Sequence, residues 1–541
     1  MGWVARGIRY LRTYGADYTF MKIREKLTDR LFHPWDKAWR LQQADAAALE
    51  DQRKSLPAAG LISVLIPAYN TRPEFLEALL DALMAQTYPH WEACVQVTGT
   101  RADTRAAARR AAEKDPRIHC FMDAENAGIS GNTNAAFRAC SGGWVVLCDH
   151  DDLLPPDVLW HVADAIVQQQ PDVIYTDEDK IDEKGRWHSA PHFKPDFCPD
   201  NLRSGNYVCH LLALRRSLYE AVGGERPAFD GSQDHDLMLR LSERTKRILH
   251  LPIIGYHWRT VGASMSHQQL ERCLAASARA VEEQMDRQGT PGTVTVEDGI
   301  LRLHYTLLPR SLGVLALMPN AGGAHDRQQA LQSALPEDTP VRLVVPAEGQ
   351  SVPEALNDAV AASREDLLLV LDAGITRLSP GFVRELAMYA QRDDVGMVTP
   401  LLTDSHGQVL FTGFTVHPDG TLSTPGTGLP ARAPGPFLRN RQSRNTAAVS
   451  AACFMVRREA WLPLDPAMGS ACAVPDACLR MMNNGLYHVY TPHAAAVCTN
   501  RSPLLSGNTV DSSLLQPFRD RWTGWHDPCA AFEKENGGTR R

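Results

Sequence analysis

No run of about 18 apolar residues occurs in this 541-residue chain, so no segment of it is expected to cross a bilayer as a helix. The start of the sequence lacks the continuous apolar core of a secretory leader, and Met1-Gly2 is followed by Arg6 where a myristoylation signal would need Ser or Thr. A cytoplasmic location is the expectation. The 12 cysteines lack the paired spacing of a zinc site, and even the close pair Cys472 and Cys478 has no histidine arrangement beside it. Reduced, mostly buried thiols are therefore predicted. Excess positive charge is absent too. A net charge of −7 argues against a nucleic-acid partner, which would call for a basic stripe. No Gly/Ser/Pro-rich tract suggests disorder, and 44% hydrophobic with 22% charged residues suits a folded protein.

The length exceeds what one core usually organises, which predicts at least two domains. Residues 1–60 form a basic amphipathic segment in which Arg6, Arg9, Arg12, Lys22, Arg24 and Lys26 alternate with Trp3, Ile8, Leu11, Phe20 and Leu27. This pattern suits either peripheral contact with an anionic membrane face or helices packed on the next domain with solvated basic faces.

From Leu61 onward the pattern alternates between strand and helix. The run LISVLIP ends at Pro67 and reads as a buried parallel strand. A helix follows from Pro73 to Gln86, then a strand at Ala93–Val97, a helix at Asp103–Lys114, a strand at Ile118–Met122, a helix from about Gly131 to Cys140, and the strand Trp144–Cys148. Such alternation predicts an α/β domain over 61–310, with a mostly parallel sheet and helices on both faces. Ligands of these sheets bind beyond the carboxyl ends of the strands.

At one such end stands Asp149-His150-Asp151-Asp152. Adjacent carboxylates repel one another, so the cluster makes sense either around a divalent cation with a phosphate-bearing ligand or as a solvated turn capping the helix near Pro156. Further acidic groups follow in Thr176-Asp177-Glu178-Asp179-Lys180 and Gly231-Ser232-Gln233-Asp234-His235-Asp236, and Tyr256-His257-Trp258-Arg259 adds a histidine and an arginine.

The ordered motifs SVLIPAYN, NAGISGNTNAAF, LCDHDDLL, TDEDK, FKPDF, GSQDHDL and YHWR resemble bacterial glycosyltransferase family 2, particularly the enzymes of O-antigen and other surface polysaccharides. The resemblance runs over about 200 residues. It implies the GT-A fold, a Rossmann-like α/β architecture, and inverting transfer from a nucleotide-sugar donor to a glycan or polyprenyl-linked acceptor. By the same resemblance Asp151 would hold Mg²⁺ or Mn²⁺ on the donor diphosphate, and Asp149 would contact the donor ribose or the metal and its waters. Asp234 would be the general base, with His257 a further metal or diphosphate contact. Pro67, Tyr69, Asn70, Gly128, Ser130 and Asn134 are the candidates for the nucleotide pocket, each open also to ordinary turn or cap chemistry. One departure stands out: the second strand ends in Val95-Gln96-Val97-Thr98-Gly99-Thr100, without the acidic residues that the family uses against the base.

The remainder repeats the pattern. Thr293–Leu308 reads as a hairpin around Asp298-Gly299, after which Leu312–Pro319 resembles the first strand. Asn134 and Asn357 each precede an aspartate, Asp149 and Asp372, by fifteen residues, which an internal duplication explains. In this second copy Asp372-Ala373-Gly374 lacks the other carboxylates, and Val474 stands where the base would be. Residues 311–541 are thus expected to be a second, non-catalytic GT-A-like domain. A non-catalytic glycan-binding or assembly component is the alternative to an enzyme, and a metal-dependent nucleotidyltransferase a third reading that lacks a basic glycine-rich loop.

Overall fold

The computed structural model describes residues 11–122, 125–261, 270–320, 322, 324–336, 339–499 and 515–531. Its first sheet is built from β1 (Ile62–Tyr69), β2 (Trp91–Thr98), β3 (Ile118–Phe121), β4 (Trp144–Leu147), β5 (Val173–Ile181), β6 (His188–His192), β7 (Leu212–Arg215) and β8 (Ile248–Arg259). The order is β3-β2-β1-β4-β7-β5-β6, with β8 beside β5. The strands β1, as far as Ala68, and β2 are buried on both faces, as a sheet covered by helices demands. Helix Pro73–Met84 begins with proline at its first position and buries Phe75, Leu76, Leu79, Leu80 and Leu83, the stripe of a helix lying on a sheet.

The sheet is more mixed than its sequence pattern predicts. β3, β2, β1 and β4 are parallel, but β7 returns antiparallel between β4 and β5, and β6 is antiparallel to β5. The reason is local: β7 is the four-residue run LALR, too short to show a period.

The expected hairpin forms from Gly292–Glu297 and Ile300–Tyr305, and Asp298 (φ 50°) and Gly299 (φ 81°) supply the two left-handed residues of a tight turn. Beyond it lies the second sheet. Reading Val341–Val344, Leu312–Leu317, Leu367–Asp372, Cys453–Arg457, Val395–Thr403 and Tyr487–Cys498 reproduces the order β2-β1-β4-β7-β5-β8, with the same parallel and antiparallel senses. A counterpart of β3 is missing among the described residues, in keeping with the shorter segment after Leu317. The duplication is therefore one of topology.

The two units share a core. One cluster, with Ile66, Leu79 and Val146, fills one face of the first sheet; the other runs from Leu65 and Val145 through Val281 and Leu303 to Leu369 and Phe454. Polar contacts cross the same junction. Asp200 pairs with the buried guanidinium of Arg392 and accepts from Asn445 Nδ2 at 2.9 Å, while Ser204 Oγ donates to the Ser443 carbonyl at 2.6 Å.

In the N-terminal segment, helices Ala16–Phe32, Pro34–Gln42 and Ala46–Lys54 precede the sheet. The second of these docks on β6, burying Asp36 and Trp39. All 12 cysteines are free thiols, most of them buried. Among the described residues, no helix is long and apolar enough to cross a membrane.

Candidate active site

A small pocket of about 30 Å³ lies beyond the carboxyl ends of β1 and β4, lined by Pro67, Cys148, Asp149, His210, Glu225 and Asp234, among others. β4 delivers Asp149, and the position is fixed by a chain of bonds. The Asp149 N–H donates to Tyr256 Oη at 3.1 Å, and that hydroxyl donates to Asp152 Oδ2 at 2.7 Å. The His210 ring stacks on Tyr256 at 4.6 Å, which brings its Nε2 to 3.7 Å from Asp149 Oδ2. From the opposite wall, Asp234 enters in the first turn of helix Gln233–Arg244. Its Oδ2 accepts from Asn206 Nδ2 at 2.7 Å and its Oδ1 from the His235 N–H at 2.9 Å. Both bonds fix the direction of the carboxylate.

Electrostatic strain concentrates here. Burial, with the nearby Asp151 and Asp149 charges, pushes the Asp152 carboxyl well above its ordinary range. Burial likewise raises Asp151, whose side chain remains partly exposed. Glu225 is 5% exposed and one of its carboxyl oxygens has no hydrogen-bond partner. Burial first, and then the Asp234 charge, push it up to about 8. Asp149, Asp152 and His210 each place a ligating atom within 4.8 Å of the others. Two carboxylates and an imidazole suit a divalent cation of the Mn²⁺ type, and positive charge would relieve the repulsion among the three aspartates. Asp152 is the weakest of these ligands, because its oxygens already accept from Tyr256 and the Arg259 N–H.

The remaining candidates fall into two groups. Pro67, Asp149 and Asp234 line the pocket together, Asp151 sits two residues beyond Asp149, and Tyr69 is exposed at the end of β1. The others have local partners. Asn70, at φ 46°, accepts from the N–H groups of Thr100 and Arg101 and so ties the end of β1 to that of β2. At Gly128 a Cβ would lie 2.3 Å from Asp230 Oδ2, and Ser130 Oγ donates to Asp230 Oδ1 at 2.5 Å, so both are packed on one carboxylate at a helix start. Asn134 donates to the Glu225 carbonyl at 2.7 Å and accepts from the Glu225 N–H and Tyr219 Oη. These bonds anchor its helix to the Glu225 backbone and the Tyr219 hydroxyl. The His257 backbone pairs with Leu153, while its Nδ1 is 2.6 Å from Asp179 Oδ1, and the other Asp179 oxygen accepts from Trp35 Nε1 and contacts His188. Together Asp179, His188 and His257 make a separate buried cluster.

The second copy separates scaffold from chemistry. Asn357 makes the same paired bonds to the Leu464 backbone that Asn134 makes to Glu225. Asp476 binds Arg480 at 2.8 Å just as Asp236 binds Arg240 at 2.7 Å. What both copies keep is structural. The second copy keeps an aspartate at the Asp149 position, Asp372, whose Oδ1 accepts from the Gly374 N–H, but it has Gly374 and Ile375 in place of Asp151 and Asp152 and the buried Val474 in place of Asp234.

Residues 63–223 match Glycosyl transferase family 2. The first unit thus carries a glycosyltransferase domain of that family. An uncharacterized protein, y4gI, of Sinorhizobium fredii is 30% identical over 85% of this chain and 55% of its own length. The O-antigen biosynthesis protein RfbC of Myxococcus xanthus is 31% identical over 77% of this chain and 35% of its own length. The chain therefore spans about half, or less, of these curated relatives. Among solved structures, TarS of S. aureus with UDP-GlcNAc aligns with a TM-score of 0.36 at 17% identity, covering 41% of this chain and 66% of that one.

Proposed function

We propose that the first unit transfers a sugar from a nucleotide-sugar to a hydroxyl of a glycan or polyprenyl-linked acceptor in surface-polysaccharide synthesis, with inversion at the anomeric carbon. The observation that supports this reading is the pocket shared by Asp149 and Asp234; in the second copy an aspartate, Asp372, is kept at the first position, and Val474 stands at the second. Asp234, aimed by Asn206, takes the proton of the acceptor hydroxyl as its oxygen bonds to the anomeric carbon. The bond from that carbon to the nucleoside diphosphate breaks on the opposite side, and the diphosphate leaves with the bonding electrons. Asp149 and His210, with Asp152 from the same cluster or the adjacent Asp151 that the family resemblance assigns, would hold Mg²⁺ or Mn²⁺. Such an ion, when bound, supplies Lewis-acid neutralisation of the departing diphosphate. Loss of the carboxylate in Asp234→Asn is expected to keep donor binding and lower turnover by roughly two to four orders of magnitude. Nucleoside diphosphate release from a panel of nucleotide-sugars, with and without Mn²⁺, measures this, and unchanged turnover would overturn the assignment of the base.

Contact with a membrane face belongs to the same proposal. On helix Ala16–Phe32 the exposed Phe20, Ile23, Leu27 and Leu31 recur at helical spacing, with Lys22, Arg24 and Lys26 interspersed. An apolar stripe bordered by cations fits an anionic lipid surface, where a polyprenyl-linked acceptor would reside.

A further inference from the structure

A second cavity, of about 710 Å³, lies at the junction of the two units and falls within the usual range of ligand sites, about 300–1,000 Å³. The first unit contributes His192, Phe193, Asn206 and Tyr207; the second contributes Phe437 and Arg439, among others. Its position is informative because Asn206 belongs to both places. The residue lines this cavity, and its amide nitrogen holds Asp234 Oδ2 at 2.7 Å. A ligand seated between the units would thus abut the residue that aims the proposed base.

The wall given by the second unit has been shaped at a cost. Phe437 (φ 46°) and Leu438 (φ 64°) are successive non-glycine residues in the left-handed region, each at a typical cost of about 1–3 kcal/mol. The strain leaves a large aromatic ring 49% exposed, stacked at 3.9 Å and 19° on His192 of the first unit. Packing against a core does not account for such a ring. A sugar does, since its apolar face stacks on an aromatic surface while its hydroxyls require donors and acceptors, and Phe193, Tyr207 and Phe437 alternate here with Asn206, Arg439 and Gln442. The lining includes Arg439 and Arg444 and no carboxylate, so the charge suits neutral or acidic sugars and disfavours cationic ones.

We infer that this cavity is the acceptor-glycan subsite, and that the non-catalytic second unit supplies its aromatic platform through Phe437. The inference rests on the glycosyltransferase reading of the first unit for the name acceptor, while glycan binding as such can be tested separately. Saturation-transfer NMR of the full chain against defined neutral and acidic oligosaccharides, including rhamno-, manno- and chondroitin-type fragments, supplies the probe. At least one is expected to bind the wild-type chain. Phe437→Ala should weaken that binding about tenfold or more, as loss of an aromatic anchor does. Phe437→Trp, which keeps the platform, should retain it. Metal-dependent nucleoside diphosphate release in the absence of acceptor should be equal in all three proteins, and matched melting curves exclude loss of fold. Unchanged affinity in Phe437→Ala, or no binding of any oligosaccharide by the wild-type chain, overturns the inference. Absence of diphosphate release from every nucleotide-sugar, with glycan binding intact, strikes the transferase reading and leaves the glycan site standing.

Discussion

At the scale of single residues, Glu225 is a buried carboxyl with a hydrogen bond to Thr133 but, among the described residues, no cation to compensate its charge. One of its oxygens is unpartnered, its neighbour across the pocket is Asp234, and its titration is pushed up to about 8. The folded chain therefore keeps this proton up to about pH 8, whereas the unfolded chain releases it near the ordinary value of 4.5. Between those limits the unfolded state binds fewer protons, so this residue makes stability fall as pH rises through the window. Glu225→Gln removes the dependence. Its stability advantage over the wild-type chain should be negligible below pH 4.5 and grow to the order of a few kcal/mol by pH 8. Urea unfolding of both proteins in chelator at pH 4.5 and pH 8 measures the difference, and an equal difference at the two values would contradict a buried, protonated carboxyl. Glu225 was not singled out by sequence because its burial depends on the Asn134 amide, 91 residues away, that clamps its backbone. The same holds for His210 and Asn206, which lie in the loop before β7 and acquire their roles only by where that loop is folded.

At the scale of elements, helix Ala16–Phe32 is unusual in burying little beyond Tyr18 and Thr19. A helix with an apolar stripe normally lays that stripe on a core, whereas here Phe20 and Leu31 are more than 60% exposed. Replacing Phe20 and Leu27 together with Ser should lower partition onto vesicles containing anionic phospholipid by about tenfold or more, given about 25 cal/mol for each Å² of apolar surface withdrawn from water. Co-sedimentation with such vesicles and with neutral ones provides the comparison. Equal binding of variant and wild type would remove the helix from any membrane role. The amphipathic pattern was legible in the sequence, but its two readings could not be separated there, because pattern alone does not say whether a stripe finds a partner.

At the scale of the whole molecule, the two units are not separable bodies joined by a linker. A hydrophobic cluster runs through the hairpin from one sheet to the other, and Asp200 and Arg392 meet where both are almost wholly buried. Breaking that pair from one side leaves a buried charge. Arg392→Ala should cost about 3–5 kcal/mol, and deletion of 311–541 should yield an insoluble or unfolded first unit, since its share of the cluster would face water. Thermal melting of the full-length variant and circular dichroism of the truncated chain check the two outcomes. A truncated chain that folds and still hydrolyses donor would show that the shared core is dispensable.

The sequence by itself determined the alternation of strands and helices, the duplication, and the placing of Asp149 and Asp234 at element ends. Those features are written in local periodicity, in spacing and in the chemistry of strand ends. Tertiary structure decided the rest. It placed β7 antiparallel in mid-sheet, clamped the Glu225 backbone with the Asn134 amide, set His257 beside Asp179, and joined Asn206 to both Asp234 and the junction cavity. Each outcome rests on hydrogen bonds or packing between residues far apart in sequence, and such contacts exist only once the chain has closed on itself.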